Sequence, residues 1–475
     1  MTMTIDASPS AESVMRGRRG AGMPLDALVT LSFMAFSASL ILEWVALSGL
    51  AGGFVKPFHV TALVFMALCA AQWRYLALPT IHRYVTIYGA YILLLGLALS
   101  TGLVHAHPYR GAAELMRQLF YAGTSVIVAG AFHRLAARPR ARVLAWSGLV
   151  GVTVLIGGLA LALYGSGVDA PKVLLEAIQK RDPDIVSFHL LRSAFRSQSD
   201  FADVGANLRH KVFGGLLLCV FVGLAYLPGV QARRRGARGA LVGASIIGMA
   251  VVVLSLSRSV TLCLVGTLIL FPLRAFVRFR SAPRNMAVLG VAAAMVVLVA
   301  VSPVGGLLSE RFSSTGSYSG RIEASSQVDE FQAAILFGAD KDNVSKSPHN
   351  LILDAWLAGG LLASICALVL FASLVRLWLK EAWRYLRGAP GWVLPVSQLW
   401  LLGVGIIPIV RAVTSGNQAH MIEWTAIGVF VGTISANKRE LAAQTAARRA
   451  ARPDAAPSLR PLSLRSEASA SKSQA

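Results

Sequence analysis

The chain is organised around a succession of long apolar stretches, and this feature constrains its fold more than any other. Crossing the hydrocarbon core of a bilayer takes about 20 consecutive apolar residues. Only 14% of the 475 residues are charged, whereas a soluble domain usually has about 25%. We therefore predict an all-α, polytopic integral membrane protein with twelve spans. They lie near residues 25–46, 58–73, 84–104, 118–132, 143–165, 212–230, 239–256, 260–273, 286–306, 350–375, 391–410 and 420–436.

The loops between these stretches alternate between basic and non-basic. Lys and Arg in short loops stay on the cytoplasmic side of the membrane. The pattern predicts cytoplasmic termini and long outward loops at 166–211 and 307–349. We therefore expect a multi-pass membrane protein with these two loops on the outer side of the membrane. The basic clusters lie at residues 16–19, 134–142, 233–238, 274–284 and 380–387.

The basic cytoplasmic loops of this topology account for most of the net charge of +22. Because the charge is dispersed over alternate loops, it favours contact with anionic membrane lipids and argues against a nucleic-acid partner. The four cysteines all lie inside apolar stretches, which indicates buried thiols and neither a disulfide nor a zinc site.

Polar segments flank the membrane domain predicted for residues 25–436. Residues 1–24 are small and polar, and residues 437–475 are rich in Ala, Ser, Arg and Pro. Such compositions are typical of disordered chain. We expect two disordered cytoplasmic tails, the second of them basic.

Ionisable residues gather near the predicted outer ends of the spans. Charged side chains at membrane depth are costly and usually functional. A transport pathway through the midplane would place them deeper, so their position favours chemistry at one membrane face. The residues are Glu43, Arg258, Asp354, Arg411 and Glu423.

Two arginines are candidates for binding an anion at this face. Arg258 lies in a Ser-Arg-Ser turn that joins two spans with almost no loop, and Arg321 follows a serine-rich run in the loop 307–349. Guanidinium groups bind phosphate through paired hydrogen bonds. The alternative for Arg258 is an arginine that only reaches the lipid headgroups.

The sequence Ser347-Pro348-His349-Asn350 has the pattern of a helix start, with Ser as N-cap and Pro in the first turn. His349 would then lie at the positive end of a helix, which favours a neutral imidazole able to act as a general base. Asp354 is one candidate to orient it. The alternative is a histidine that is merely hydrogen-bonded at the interface.

The loop 166–211 offers weaker signals. Apolar residues at 173, 174, 177 and 178 have helical spacing, and Arg192 and Arg196 share a helical face. This face would line a substrate groove, and the alternative is an interfacial helix that lies on the bilayer without a part in the site. Asp182-Pro183-Asp184 resembles a metal-binding motif of enzymes that use nucleotide sugars, but those substrates are cytoplasmic and this loop is predicted to face outward. We therefore expect no metal and no cofactor. His105, His107, Arg110 and Arg117 are a further candidate cluster for contacting phosphate, although their spacing is unspecific.

Several of these motifs, taken in order, resemble the O-antigen ligase and polysaccharide polymerase superfamily of bacterial envelopes. The resemblance covers roughly residues 240–375 and implies a twelve-span helical enzyme of the bacterial inner membrane, with its active site facing the periplasm. It also implies transfer of a glycan from undecaprenyl diphosphate to a sugar hydroxyl at the periplasmic face, with inversion and without a metal. The motifs are Ser257-Arg258-Ser259, Ser319-Gly320-Arg321, Leu336-Phe337-Gly338, Pro348-His349-Asn350-Leu351 and Ala358-Gly359-Gly360-Leu361.

The resemblance also implies roles for individual residues and partners. Arg258 and Arg321 would bind the diphosphate, and His349 would act on the acceptor hydroxyl. Further substrate-binding candidates are Asn350, Arg192, Arg196 and Arg411.

The acceptor would be a lipid-linked repeat unit for a polymerase, which we slightly favour, or the lipid A core for a ligase. A chain-length regulator and a flippase would be natural protein partners. The alternative function is that of a transporter or flippase for a lipid-linked or ionic substrate, which requires a polar path through the membrane.

Overall fold

The computed structural model describes residues 23–40, 56–76, 82–136, 141–165, 167–182, 185, 205–230, 235–278, 301–313, 328–344, 348, 350–389, 391–414 and 420–450. Over these ranges the chain is helical and contains no strand, apart from one isolated β-bridge between Pro108 and Asp340. The prediction of an all-α fold is confirmed for this part of the chain.

The helices are numbered in chain order. They are α1 (Met23–Ser39), α2 (Pro57–Ala71), α3 (Val85–Ser100), α4 (Ala112–Leu135), α5 (Ala141–Gly165), α6 (Ala170–Lys180), α7 (Gly205–Tyr226), α8 (Arg235–Leu254), α9 (Arg258–Leu268), α10 (Leu270–Val277), α11 (Pro303–Ser313), α12 (Val328–Ala333), α13 (Leu351–Arg387), α14 (Gln398–Thr414) and α15 (Met421–Ala450).

Seven stretches of helix among the described residues are long and apolar enough to cross a membrane. Three further apolar helices are shorter, at residues 26–39, 57–71 and 398–414. Most of the predicted span 286–306 lies outside the described residues, so the number of twelve stays a prediction. The seven stretches are Val85–Leu103, Ala112–Leu135, Leu144–Gly165, Val212–Gly229, Arg235–Leu254, Arg258–Val277 and Leu351–Arg387.

The last helix extends further than the sequence indicated. Residues 437–450 continue α15 through Ala450, so the expectation that disordered chain begins at residue 437 is wrong for this stretch. The side chains of α15 are buried from Met421 to Asn437 and exposed from Leu441 to Arg448. The basic stretch therefore extends the helix beyond its packed part.

Small residues let α4 and α15 approach closely. A Cβ atom placed on Gly428 would lie 2.6 Å from the carbonyl oxygen of Ser125, and one on Gly432 would lie 2.8 Å from the Cβ of Phe132. Helices in membranes associate through such close contacts because lipid leaves little hydrophobic driving force between them. This pairing fixes the position of the first turn of α15, which carries Glu423.

Helix α13 is interrupted at Gly359 and Gly360. Gly360 has a φ of +78° and Gly359 a φ of −150° with ψ 20°, values outside the helical region. The carbonyl groups before the break are satisfied from outside the helix. Ala339 donates its backbone N–H to Leu357 O at 2.7 Å, and Thr101 donates its hydroxyl to Ala358 O at 2.7 Å.

The segment that fills this break contains the Leu336-Phe337-Gly338 motif. The backbone N–H of Leu361 donates to Ile335 O at 2.9 Å. A Cβ on Gly360 would lie 2.6 Å from Leu336 O, and one on Gly338 would lie 2.7 Å from Leu357 O. Non-helical backbone at membrane depth needs partners of this kind. The two glycine-containing motifs of the sequence therefore form one structural unit.

Candidate functional site

Arg258 begins α9 directly after a strained turn. Leu256 adopts a left-handed conformation with φ +52°, which costs a residue with a side chain about 1–2 kcal/mol. Ser257 follows as the N-cap with extended backbone, and its carbonyl accepts from Thr261 N at 2.9 Å. Strain of this kind is characteristic of functional turns. Arg258 itself is half-buried between the buried Ser257 and Ser259.

The amphipathic helix predicted near residue 175 exists as α6 and packs on this turn. Ala177 is fully buried and forms a small apolar cluster with Leu256 and Leu307, against which Leu174 and Ile178 also pack. Helix α6 thus packs against Leu256, the residue with the left-handed backbone conformation. Asp169 caps it by accepting from Lys172 N at 3.2 Å.

The start of α13 differs from the prediction. Asn350, and not Ser347, is the N-cap, because its Oδ1 accepts from Ile352 N at 2.9 Å. The helix begins at Leu351, so His349 precedes the cap and is not in the first turn. Asn350 is the polar residue nearest the helix end, and its side chain therefore forms the cap. The helix start thus gives no support to the expectation that a helix terminus keeps His349 neutral.

Four of the predicted site residues lie outside the described residues. They are Arg192, Arg196, Arg321 and His349. Their proposed roles stay predictions.

A buried network centres on Arg110 and Asp354. One Arg110 nitrogen, Nη1, donates to Glu114, while Nη2 donates to Asp354. The hydroxyl of Tyr109 donates to the other carboxylate oxygen of Asp354 at 2.9 Å. Arg110 and Asp354 are 6% and 3% exposed. The network thereby anchors the first turn of α13 to the chain that precedes α4.

The ion pairs decide the charge state of Arg110. Burial lowers the pKa of its guanidinium, but Asp354 and Glu114 raise the pKa by more, so it lies above its ordinary value. Arg110 is therefore cationic at every physiological pH. Because two carboxylates already engage it, its first role is to hold Asp354 in place.

A second buried ion pair joins α14 to α15. Arg411 in the last turn of α14 donates through Nε to Glu423 in the first turn of α15, and His420 donates its backbone N–H to the other oxygen of Glu423 at 3.1 Å. Arg411 is 1% exposed and Glu423 is completely buried. On the opposite side, a Cβ on Gly214 of α7 would lie 3.4 Å from Nη1 of Arg411. The glycine leaves room for the guanidinium.

Tyr91 of α3 connects the two ion pairs. Its hydroxyl donates to Gln118 Oε1 at 3.1 Å, and Gln118 donates to Glu114 at 3.4 Å. Its ring lies 4.3 Å from that of Trp424, the residue after Glu423. Tyr91 therefore lies between the Arg110–Asp354 network, to which it is hydrogen-bonded through Gln118, and the helix turn that carries Glu423. A narrow pocket beside it is lined by Tyr91, Arg110, Gln118, Asp354 and apolar neighbours.

Parts of this region were not anticipated from the sequence. Arg110 and Asp354 were both noted, but not as partners. Glu114 and Gln118 were missed, although two polar residues spaced by four at the start of an apolar helix indicate a polar stripe on one face. Tyr91 gave no signal, because a tyrosine within an apolar stretch is usual.

Comparisons with known proteins add no family to this picture. No protein-family model and no curated protein matches the chain. The function must therefore come from the residues themselves and from their surroundings.

Proposed function

We propose that the protein is a membrane glycosyltransferase of surface polysaccharide synthesis. In this proposal it transfers a glycan from undecaprenyl diphosphate to a sugar hydroxyl at the periplasmic face, and we favour a polymerase slightly over a ligase. The observation that supports it most is the presence of two buried ion pairs at helix ends, Arg110 with Asp354 and Arg411 with Glu423, with Tyr91 between them. Intramembrane charges held in this way mark functional sites.

The donor diphosphate would be bound by Arg258 together with Arg321. Arg258 stands at the start of α9, where backbone N–H groups and the helix dipole attract anions. Its strained turn and the packing of α6 on Leu256 hold this position. Arginines at this place would neutralise the negative charge that grows on the leaving diphosphate.

His349 would remove the proton from the acceptor hydroxyl. Such general-base assistance typically contributes about 10² to 10⁴ in rate. His349 directly precedes Asn350, whose cap, with the Arg110–Asp354 pair four residues further on, fixes the start of α13. A single displacement at the anomeric carbon inverts its configuration. The activated lipid donor supplies the driving force.

The competing proposal is a transporter or flippase. It requires polar groups along a path through the membrane midplane. In the described helices, the buried charged side chains lie near helix ends: Arg110, His133, Asp354, Glu381, Arg411 and Glu423. His133 and Glu381 lie at the end of the bundle opposite to the other four, so the described residues place buried charges at the two helix ends and none at the midplane. The absence of charges from the middle of these helices is what favours an enzyme over a transporter.

The test is an assay with purified protein in nanodiscs and an undecaprenyl-diphosphate oligosaccharide, with and without a lipid A core acceptor. Lengthening of the lipid-linked glycan without core would identify a polymerase, and transfer only with core would identify a ligase. If neither product forms from authentic substrates, the enzyme proposal fails, and flipping of the labelled lipid is measured next.

Variants assign the roles in the same assay. We expect Arg258→Ala, Arg321→Ala and His349→Ala to abolish product while the protein still inserts into the membrane. Arg235→Ala is the matched control, because Arg235 is an exposed arginine at the start of α8 with no proposed part in the reaction. Full activity of His349→Ala would remove the general-base role.

A further inference from the structure

A group of cationic side chains meets at the end of the bundle opposite to the Arg110–Asp354 pair. Arg83 and Tyr84 precede α3, Lys380 lies near the end of α13, and Lys438 follows the buried part of α15. Segments of three helices thus contribute to one cluster, which we call the Lys438 cluster and define as Arg83, Tyr84, Lys380 and Lys438.

Ser435 and Tyr84 bring this cluster together. Arg83 donates through Nη1 to Ser435 Oγ at 3.4 Å, one helical turn before Lys438. The Lys438 Nζ atom lies 5.6 Å above the centre of the Tyr84 ring. Arg83 and Lys438 are therefore neighbours across the start of α3.

Two carboxylates lie nearby, and each pairs with an arginine outside the cluster, although Oε2 of Glu381 is buried without a hydrogen-bond partner among the described residues. Glu381 pairs with Arg384 at 3.1 Å and Glu440 pairs with Arg439 at 2.7 Å. Within the described ranges, no carboxylate lies within ion-pair distance of Arg83, Lys380 or Lys438.

The like charges act on one another. The pKa of Lys438 is lowered by partial burial and by the positive charges of Arg83, Lys380 and Arg384, against which Glu381 acts in the other direction. Charges of one sign held together in a partly buried place destabilise the fold unless a counter-ion compensates them.

A buried hydroxyl in the same cluster also has no partner. Tyr84 is 8% exposed, and its hydroxyl makes no hydrogen bond in the part of the chain that the structure describes. Burying an unsatisfied donor costs about 1–3 kcal/mol. An acceptor from outside the chain would remove this cost.

We propose that the Lys438 cluster binds a phosphate group at this end of the bundle. Phosphate oxygens accept from guanidinium, ammonium and phenol donors together, and one such group offsets much of the excess charge. The group is either the headgroup of an anionic lipid, which basic sites between transmembrane helices bind, or a free phosphate. The site is independent of the proposed transferase site at the other end.

The experiment measures the melting temperature of full-length protein in a neutral detergent. Phosphatidylglycerol, phosphatidylcholine or inorganic phosphate is added to separate samples. The test variants are Arg83→Gln/Lys438→Gln and Lys380→Gln/Lys438→Gln, the second of which keeps the bond from Arg83 to Ser435. The control variant Arg235→Gln/Arg238→Gln removes the same charge at the start of α8.

We expect phosphatidylglycerol to raise the melting temperature of the wild type and the control by at least about 2 °C more than phosphatidylcholine does. Both test variants lose this rise. If inorganic phosphate raises the melting temperature as much as phosphatidylglycerol does, the ligand is a free anion. If inorganic phosphate gives no rise and phosphatidylglycerol does, the ligand is the lipid headgroup. The proposal is overturned if neither phosphatidylglycerol nor inorganic phosphate raises the melting temperature of the wild type above its value with phosphatidylcholine. It is also overturned if the test variants respond to these additives as the control variant does.

Discussion

Arg110 and Asp354 form a buried ion pair although they are 244 residues apart in the sequence. The pair joins the chain before α4 to the first turn of α13, just ahead of the break at Gly359 and Gly360. It thereby sets the position of the short helical segment that follows His349. Any role of His349 depends on this anchor.

Replacing Arg110 with Gln leaves Asp354 buried without its cation. Breaking a buried pair from one side costs about 3–5 kcal/mol, so we expect a clear fall of the melting temperature in detergent. Arg117→Gln, which changes an exposed arginine 4.0 Å from Glu114, should cost at most about 0.5 kcal/mol. Similar melting temperatures for the two variants would contradict the structural role of Arg110.

The pair of Arg411 and Glu423 allows stability to be separated from function. Glu423→Leu leaves Arg411 buried without its carboxylate and should cost about 3–5 kcal/mol, whereas Arg411→Met/Glu423→Leu should recover most of that loss. Melting temperatures and product formation are measured together. A stable double variant that makes no product would support substrate binding by Arg411, and a stable active one would leave it a structural residue.

Gly360 should not tolerate a side chain. Alanine there would adopt φ +78° and place its Cβ 2.6 Å from Leu336 O. We expect a loss of at least about 1–2 kcal/mol from the backbone alone. Gly96→Ala makes the same chemical change inside α3, where no atom lies within 4 Å of the new Cβ, and it should be neutral or stabilising. Equal stability of the two variants in thermal melting would rule out the proposed fit of residues 335–339 at the break.

The packing of α6 on the Arg258 turn can be tested with two neighbouring substitutions. Ala177→Glu inserts a charge into the cluster with Leu256 and Leu307, so it should displace α6. Leu175→Glu introduces the same charge at a side chain that is 56% exposed and serves as the control. We expect the first variant to insert normally but lose most of its transferase activity, while the second keeps it. Unchanged transferase activity of the Ala177→Glu variant would show that the packing of α6 on the Arg258 turn is not needed for the reaction.

The sequence by itself determined the class of this protein. Long apolar stretches must form helices in lipid, because every backbone group then finds its partner within its own segment. The apolar spacing near residue 175 also correctly indicated a helix, because residues three and four apart lie on one helical face. The sequence also pointed to Arg258, Asp354, Arg411 and Glu423, since charges beside apolar stretches are conspicuous whatever the packing.

Only the tertiary structure decided which of these residues meet. Arg110 pairs with Asp354 and Arg411 with Glu423 because the helices between them place their ends side by side, and no local pattern encodes such contacts. The N-cap at Asn350 and the filling of the α13 break by residues 335–339 likewise depend on competition between nearby polar groups and on contacts distant in sequence. Spacing along the chain fixes helices, but the partners of buried charges are fixed by how those helices pack.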